Sequence, residues 1–177
     1  MREEIRREVL AVQALDGLEQ ATIDGVLAWI DSGVELCRLE KPATPPKHLI
    51  SYFAVVDGDH VLLVDHINAE LWLPTGGHVE PGEHPRETVR REAREELGIE
   101  ASFLRETPLL LTETETVGKT AGHTDVSLWY VLKGDRSATL TFDRSEFHGV
   151  RWFHRTEVPM NRTDPHMHRF LAKLAQA

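Results

Sequence analysis

Cysteine is almost absent from this chain of 177 residues, which contains only Cys37. No disulfide can form within the chain, and the composition favours a reducing compartment, so we expect a cytoplasmic protein. Long apolar runs are absent too, because none approaches the roughly 18 residues of a membrane-spanning helix. The first ten residues, MREEIRREVL, are charged throughout, so we expect no signal peptide.

Positive charge is also in deficit. Lysine and arginine number 20 against 29 aspartates and glutamates, which gives a formal net charge of −9 at pH 7. Such a chain lacks the basic surface that binds a nucleic-acid duplex or an anionic membrane, so neither is an expected partner. If the substrate carries phosphate, positive charge must come from elsewhere, and a divalent cation is the natural source.

A proline-rich segment divides the chain. Residues 1–39 carry two apolar stripes with helical spacing, which predict an N-terminal helical extension. Residues 40–47, EKPATPPK, predict a connector, because proline fixes its own φ and holds the preceding residue extended. Residues 48–177 then form the main domain with a C-terminal helix. The helical extension either packs on that domain or provides a homodimer contact, and the first is favoured.

The main domain alternates between extended and helical patterns. Residues 74–85 contain three prolines and three glycines, which predict a loop. Helices are predicted from Pro85 to Leu97, ended by Gly98, and from about Asp164-Pro165 onward. This order of elements indicates an α+β or mixed α/β sandwich. Strands are predicted where β-branched and aromatic residues gather, at 48–56, 60–65, 71–73, 108–116, 123–132, 137–142 and 149–154.

Three glutamates fall within residues 91–98, REAREELG. On a helix, Glu92, Glu95 and Glu96 share an arc of about 100°. Like charges one turn apart repel by roughly 0.2–0.5 kcal/mol per pair, so the arrangement needs an explanation. Mg²⁺ prefers oxygen ligands and binds through a few carboxylates plus phosphate oxygens. Considered alone, the three glutamates indicate either a metal site or a solvated acidic face. Their arc borders the apolar stripe of Val89, Ala93 and Leu97.

The loop and helix together resemble the box of the Nudix (MutT-like) hydrolase family over residues 77–99, GHVEPGEHPRETVRREAREELGI. The chain departs from the pattern at Ala93, where the family usually has a larger aliphatic residue, which implies looser packing. The resemblance extends over about residues 48 to 160 and implies an α/β/α sandwich with a mixed sheet. It also implies hydrolysis of a nucleoside diphosphate linked to a group X, with Mg²⁺ or Mn²⁺. The fixed positions of the box are all filled, by Gly77, Glu83, Arg91, Glu92, Glu95, Glu96, Gly98 and Ile99.

The same resemblance implies roles for individual residues. Glu92, Glu95 and Glu96 match the carboxylates that bind the metal, and Arg91 matches the residue that orients Glu92. Gly76, just before the box, matches a backbone-carbonyl ligand. The structural positions of the box are Gly77, Glu83 and Gly98, and for Glu83 a role in holding the loop is favoured over metal binding.

Many members of the family also use an acidic residue outside the box, six positions before a tryptophan on a late strand. Glu146 has this spacing from Trp152, so it matches a metal ligand or general base. Asp125 and Glu115 are rival candidates, which the sequence does not rank.

The box does not select the substrate, because selection depends on loops and strand faces outside it. Phe53, Trp72 and Trp129 are aromatic residues that could stack on a base, although their strand patterns favour the core. His78 lies in the predicted loop, where it either contacts a phosphate or faces solvent.

Three further patterns concern the ligand. No proline occurs from Leu109 to Val158, which argues against the ADP-ribose pyrophosphatase subclass. Members that act on dinucleoside polyphosphates often place a tyrosine after the box, where this chain has only Tyr130, in a predicted strand. Zinc sites have a regular Cys/His spacing, which is absent among the histidines near the end of the sequence. We therefore expect ordinary polar roles for His154, His166 and His168.

Two functions follow from these observations. The complete set of box glutamates favours a hydrolase that acts on a small nucleotide or nucleotide-linked substrate. The alternative is a catalytically silent module that binds nucleotides as a sensor, although such degenerate modules usually lose box glutamates.

Overall fold

The computed structural model describes residues 1–41, 44–116 and 122–176. Among the helices of these residues, none has both the length and the apolar character needed to cross a bilayer. The elements follow one another in the order α1 (Arg2–Leu10), α2 (Gly17–Asp31), β1 (Lys47–Asp57), β2 (His60–His66), β3 (Leu71–Leu73), β4 (Thr75–His78), α3 (Pro85–Leu97), β5 (Leu110–Glu115), β6 (Thr124–Lys133), β7 (Phe147–His154) and α4 (Met167–Leu174).

The strands join one mixed sheet. Their order is β3-β2-β1-β6-β5, with β4 paired to β1 and β7 paired to β2. Strands β1 and β6 run parallel from the pair Lys47–Thr124 to the pair Val56–Lys133, while the other neighbouring strands are antiparallel. This confirms the predicted mixed sheet and places β1 between β6 on one side and β2 and β4 on the other.

Helices cover both faces of the sheet because its central strand carries two alternating apolar sets. Phe53 and Val55 belong to a core that includes buried residues of α3 and of the N-terminal helices. Ala54 and Val56 belong to a second core, which includes Phe170 of α4. Successive side chains of a strand point to opposite faces, so β1 supplies both cores. The predicted α/β/α layering is therefore confirmed.

The N-terminal helices pack onto the sheet through the apolar stripes seen in the sequence. Ile5 and Val9 of α1, with Val26 and Ile30 of α2, are at most 1% exposed and belong to the same core as the sheet. Helix α2 begins after Asp16, whose carboxylate accepts a hydrogen bond of 3.0 Å from the first turn. The division of the chain at residues 40–47 stays a prediction, and residues 42–43 lie outside the described part.

The helical extension predicted over residues 1–39 ends early, so its part over residues 32–39 is wrong. Helix α2 ends at Asp31, and Gly33 follows with a φ of +81°, a left-handed conformation that glycine adopts without strain. The Arg2 guanidinium donates hydrogen bonds to the carbonyls of Ile30 at 2.6 Å and Val34 at 2.5 Å. These bonds satisfy carbonyls at and beyond the helix end, which have no partner within the helix.

Part of the predicted loop at residues 74–85 is a strand. Strand β4 pairs antiparallel with β1, and Gly76 lies opposite Tyr52. Gly76 has a φ of +152°, and a Cβ there would collide with the Ser51 carbonyl and lie 2.8 Å from Cα of Tyr52. The loop prediction is wrong here because glycine, which is a turn signal in a local pattern, also lets two backbones approach closely.

The strand predicted at residues 137–142 is also wrong. Ser137 instead binds the Asp135 carboxylate through its amide at 2.8 Å and its hydroxyl at 2.6 Å. Such local bonds offer the backbone an alternative to a strand ladder. The last helix begins at Met167, because a turn closed by the Asp164 carboxylate and the amide of His166, 2.7 Å apart, precedes it. The other predicted strands and the helix Pro85–Leu97 are confirmed, with ends within two residues of the prediction.

A buried ion pair joins α2 to α4. The Lys173 ammonium lies 2.6 Å from the Glu19 carboxylate and donates a second bond of 2.6 Å to the carbonyl of Gln13. The side chains of Lys173 and Glu19 are only 7% and 1% exposed. Removing one partner would therefore leave a buried charge that water cannot reach.

Replacing Lys173 with methionine should destabilise the protein by about 3–5 kcal/mol, because the Glu19 carboxylate is left buried without its partner. Urea unfolding followed by circular dichroism measures this loss. The double variant Lys173→Met, Glu19→Gln should recover most of it, since neither charge remains. Equal stability of the wild type and K173M would contradict the ion pair.

Candidate functional site

Helix α3 carries the box glutamates and is fixed at both ends. Pro85 occupies its first turn, and Gly98 ends it with a φ of +63°. A stripe of buried apolar side chains packs the helix against the sheet. This stripe includes the small Ala93, which departs from the family pattern. The fully buried residues of this stripe are Val89, Ala93 and Leu97, each 0% exposed.

The glycines of β4 bring backbone against two of the box carboxylates. The amide of Gly76 donates a hydrogen bond of 3.1 Å to Oε2 of Glu96, whose residue is 6% exposed. At Gly77, a Cβ would collide with the carboxylate of Glu92. Position 76 therefore needs glycine, whereas a side chain at Gly77 would have to displace the Glu92 carboxylate.

The pKa values of the two carboxylates are raised, so their charged forms are disfavoured. Burial, together with the negative charges of Glu92 and Glu146, raises the pKa of Glu96 to about 9. Burial also raises the pKa of Glu92, although the adjacent Arg91 lowers it. Carboxylate oxygens are the donors that a hard divalent cation prefers, and a cation would offset the negative charge gathered here. The residues present thus fit a Mg²⁺ or Mn²⁺ ion.

Arg91 holds several parts of the box together. Its Nε and Nη2 each lie 3.2 Å from a carboxylate oxygen of Glu83, and its Nη1 lies 2.5 Å from Glu92. Nη2 also donates to the carbonyl of His78 at 3.2 Å. The hydrogen bonds that Arg91 donates to Glu83, followed by the charge of Glu92, raise the pKa of Arg91 above its usual range. Glu95 is more distant, 3.5 Å from Nη1, and its side chain is 62% exposed.

Glu83 sits inside the loop that precedes α3. Its Oε2 accepts hydrogen bonds from the Thr88 hydroxyl at 2.8 Å and from the amide of Glu80 at 3.2 Å. With the two bonds from Arg91, its carboxylate is fully occupied by the loop and helix. This environment agrees with the holding role favoured for Glu83.

The acidic candidates outside the box separate in space. Glu146 precedes β7, and its charge helps to raise the pKa of both Glu92 and Glu96, so it faces the box. Glu115 lies at the exposed end of β5. Asp143 was not expected from the sequence, yet its amide donates to the carbonyl of Glu96 at 3.0 Å and its charge also raises the Glu96 pKa. No local sequence pattern marks Asp143, because its position depends on tertiary packing.

Two of the aromatic candidates for base stacking are corrected by the structure. Phe53 and Trp129 are both 0% exposed, so neither offers a ring face to a ligand. Trp129 donates from Nε1 to the Thr112 hydroxyl at 3.0 Å within the core. Trp72 keeps partial exposure, with the Arg162 guanidinium 5.8 Å from its ring centroid.

The remaining candidates, His78 and Asp125, meet two residues that the sequence did not single out, His48 and His123. These four residues are hereafter the histidine cluster. Burial lowers the pKa of His48 and lowers that of His78 to about 3, with the positive charge of Arg38 acting in the same direction. Burial also raises the pKa of Asp125 to about 7.

The C-terminal histidines have other surroundings. His154 ends β7, with its ring 5.3 Å from that of His60 and its Nδ1 2.7 Å from the Thr156 hydroxyl. His166 precedes α4 beside Asp164, and His168 lies within α4.

Two cavities border the described residues. One of about 180 Å³ adjoins the box and is lined by Arg94, Glu95, Gly98, Thr141, Phe142 and Asp143. The other, of about 710 Å³, lies at the β1–β2 turn, and its lining contains none of the box residues.

Sequence comparison points to one family. The model of the NUDIX domain family matches residues 47–174. The asymmetrical bis(5'-nucleosyl)-tetraphosphatase of Mus musculus is 45% identical over 58 residues, which are 33% of this chain and 40% of that protein. The Rattus norvegicus protein of the same name is 43% identical over 58 residues, again 40% of its length. The match thus spans about two-fifths of these curated relatives.

Solved structures share the fold. A MutT NUDIX hydrolase from Burkholderia pseudomallei superposes with a TM-score of 0.62 at 22% identity, covering 72% of this chain and 98% of that one. The E. coli ORF135 protein superposes with a TM-score of 0.57 at 22% identity, covering 75% and 91%. The family model covers well over half of the sequence, so this chain belongs to the NUDIX domain family.

Proposed function

We propose that this protein is a divalent-metal-dependent hydrolase that cleaves a diphosphate bond in a nucleoside diphosphate linked to a group X, or in a nucleoside triphosphate. The observation that carries the proposal is a pair of carboxylates beside the glycines of β4, the buried Glu96 and the partly exposed Glu92. Burial raises the pKa of both, and the charge of Glu92 raises that of Glu96 further, so the fold holds together two carboxylates whose charged forms a cation would stabilise. A structural surface helix would gain nothing from this arrangement.

The residues that would hold the ion are Glu92, Glu95 and Glu96, with the backbone carbonyl of Gly76. When bound, Mg²⁺ or Mn²⁺ neutralises charge on phosphate oxygens and lowers the pKa of a coordinated water. Glu95 is the most exposed of the three carboxylates, so it can turn toward an ion without losing a buried contact.

The chain's own groups supply orientation and proton transfer. Arg91 fixes the Glu92 carboxylate through a charge-assisted hydrogen bond, which keeps its free oxygen directed away from the guanidinium. Glu146 is the proposed general base, since its charge acts on the same carboxylates and it lies outside the box helix. Water then attacks one phosphorus and its proton passes to Glu146. The P–O bond of the diphosphate breaks, which releases a nucleoside monophosphate and phosphorylated X, or pyrophosphate where the substrate is a triphosphate.

The nucleotide class is proposed from limited similarity. The relatives named bis(5'-nucleosyl)-tetraphosphatase share 58 residues with this chain, which supports testing dinucleoside polyphosphates first. The missing proline between Leu109 and Val158 supports placing ADP-ribose lower. No nucleic-acid duplex or membrane is proposed as a partner, given the net charge of −9.

Two further proposals concern assembly and location. A homodimer through the N-terminal helices would use Leu10 and Leu18, which are 52% and 66% exposed, because the main apolar stripes are buried within the chain.

A cytoplasmic location is supported by the single free thiol, Cys37, whose pKa burial raises to about 11.

The function is tested by phosphate release from a panel of dinucleoside polyphosphates, nucleoside triphosphates and nucleotide sugars. We expect turnover of at least one member with Mg²⁺ or Mn²⁺, and none with a chelator. Nucleotide and metal binding without turnover of any member would contradict the proposal and favour the sensor module.

The variant Glu96→Gln should reduce turnover by at least about 100-fold, because an amide is a poor ligand for a hard cation. The matched control is Glu87→Gln on the same helix, whose exposed carboxylate pairs with Arg90 at 2.6 Å. That control should retain wild-type turnover. Near-normal activity of E96Q would overturn the metal-ligand assignment.

The metal-free protein should lose stability from about pH 5 to about pH 9 through Glu96. Its pKa is about 9 in the folded protein against 4.5 in the unfolded chain, so the folded state retains the proton across this window. The stabilisation is full below pH 4.5 and is lost as pH rises through the folded value. Urea unfolding with a chelator at pH 5, 7 and 9 measures the free energy of unfolding. Its decrease between pH 5 and pH 9 should be smaller for E96Q than for E87Q. Identical declines would refute the raised pKa.

A further inference from the structure

The histidine cluster is assembled by strand pairing. In the parallel β1–β6 pair, His48 lies opposite Asp125, and in the antiparallel β1–β4 pair, His78 lies opposite Ile50, two residues from His48. Opposed residues and residues two apart along a strand share one face of a sheet. The pairing therefore directs three side chains to one place, and His123 joins them from the residue just before β6.

The polar atoms of the cluster converge. One ligand atom from each of the four residues lies within 4.8 Å of the others. Oδ1 of Asp125 lies 3.2 Å from Nε2 of His123 and 3.5 Å from Nε2 of His48. The side chains are 0% exposed at His48, 7% at His123 and 18% at Asp125, so solvent reaches the group mainly along the carboxylate.

Several of these atoms make no hydrogen bond. Among the described residues, Nε2 of His48, Nε2 of His78 and Oδ1 of Asp125 are buried without a hydrogen bond. A buried polar atom without a hydrogen bond destabilises the folded state, and native proteins keep few such atoms. Three at one point indicate a ligand that accepts their lone pairs.

The surrounding backbone prepares His48 as a ligand. Its Nδ1 lies 2.8 Å from the carbonyl oxygen of Pro45. A carbonyl only accepts, so Nδ1 carries the proton and Nε2 presents a lone pair to the cluster. A metal-ligating histidine typically has this arrangement, with its second nitrogen bound to a carbonyl or carboxylate. His123 has a comparable contact, since its Nδ1 lies 3.2 Å from the Thr116 hydroxyl.

We propose that the histidine cluster is a second metal site, which binds Zn²⁺ or a similar transition metal through three imidazole nitrogens and one carboxylate oxygen. Imidazole suits zinc, copper, nickel and iron, whereas Mg²⁺ requires oxygen donors, so this site and the box select different ions. Tetrahedral Zn²⁺ with bonds of about 2.0–2.1 Å places its ligands about 3.4 Å apart. The separations of 3.2 and 3.5 Å around Asp125 already match this value.

The site would tie three strands together at one point. His48 lies on β1, Asp125 on β6 and His78 at the end of β4, directly after the two glycines that contact the box carboxylates. A metal bound here fixes β4 from the face opposite α3. It therefore stabilises the position of Gly76 and Gly77 without touching the box glutamates.

The site is tested with tag-free, chelator-stripped protein titrated with Co²⁺, then with Zn²⁺ against a chromophoric chelator. Four-coordinate Co²⁺ absorbs visible light far more strongly than octahedral Co²⁺, so geometry is read directly. We expect one strongly absorbing Co²⁺ per chain, displaced by Zn²⁺. His123→Ala and the isosteric Asp125→Asn should each weaken Zn²⁺ binding by more than about 100-fold, since losing a ligand exceeds the loss of an outer partner.

Two controls separate this site from the others. His154→Ala removes a histidine outside the cluster, and Glu96→Gln removes a box carboxylate, and both should retain the strong absorption. Zn²⁺ should raise the thermal unfolding midpoint of the wild type and H154A but not of H123A. A weak octahedral spectrum, unchanged Zn²⁺ affinity in H123A and D125N, or loss of the signal in E96Q would overturn the proposal. Turnover is not measured, so the result is independent of hydrolysis.

Discussion

The box depends on the hydrogen bonds and ion pairs that the Arg91 guanidinium makes. One rigid fork binds the loop through Glu83, the helix through Glu92 and strand β4 through the carbonyl of His78. Lysine could not replace it, because an ammonium is a point charge without the planar set of donors. Without this fork, the Glu83 carboxylate would keep its bonds to Thr88 and to the amide of Glu80, but nothing in the loop would offset the negative charge of Glu92. The geometry of the acidic group is therefore set by a cation that belongs to the protein itself.

Strand β4 has four residues and serves both faces of the sheet. Gly77 meets Glu92 on the face covered by α3, whereas the next side chain, His78, points to the histidine cluster on the other face. Alternation along a strand makes this division automatic. The two candidate metal sites are thus neighbours in sequence but lie on opposite faces of the sheet. A substitution in β4 would therefore alter the geometry of both sites.

The sequence predicts best where structure is local. The bounds of α3 follow from Pro85, Gly98 and the apolar spacing, all within one segment. It fails where pairing is distant, since β4 forms only because β1 lies beside it. The histidine cluster shows the same limit, because a search for zinc spacing considers residues close in sequence, such as His154 and His166. The burial of Phe53 and Trp129 likewise requires knowing which layer covers each face.

The ion pair between Glu19 and Lys173 spans 154 residues of sequence. Contacts of such high sequence separation form late, because the entropy of closing a long loop must be overcome before they contribute. The N-terminal helices emerge first during synthesis, yet their buried faces find the sheet and α4 only afterwards. Until then α1 and α2 expose the apolar surface of Ile5, Val9, Val26 and Ile30. The loop that closes when α4 meets the first helices is therefore long, and a chain in which this contact has opened exposes that apolar surface to aggregation.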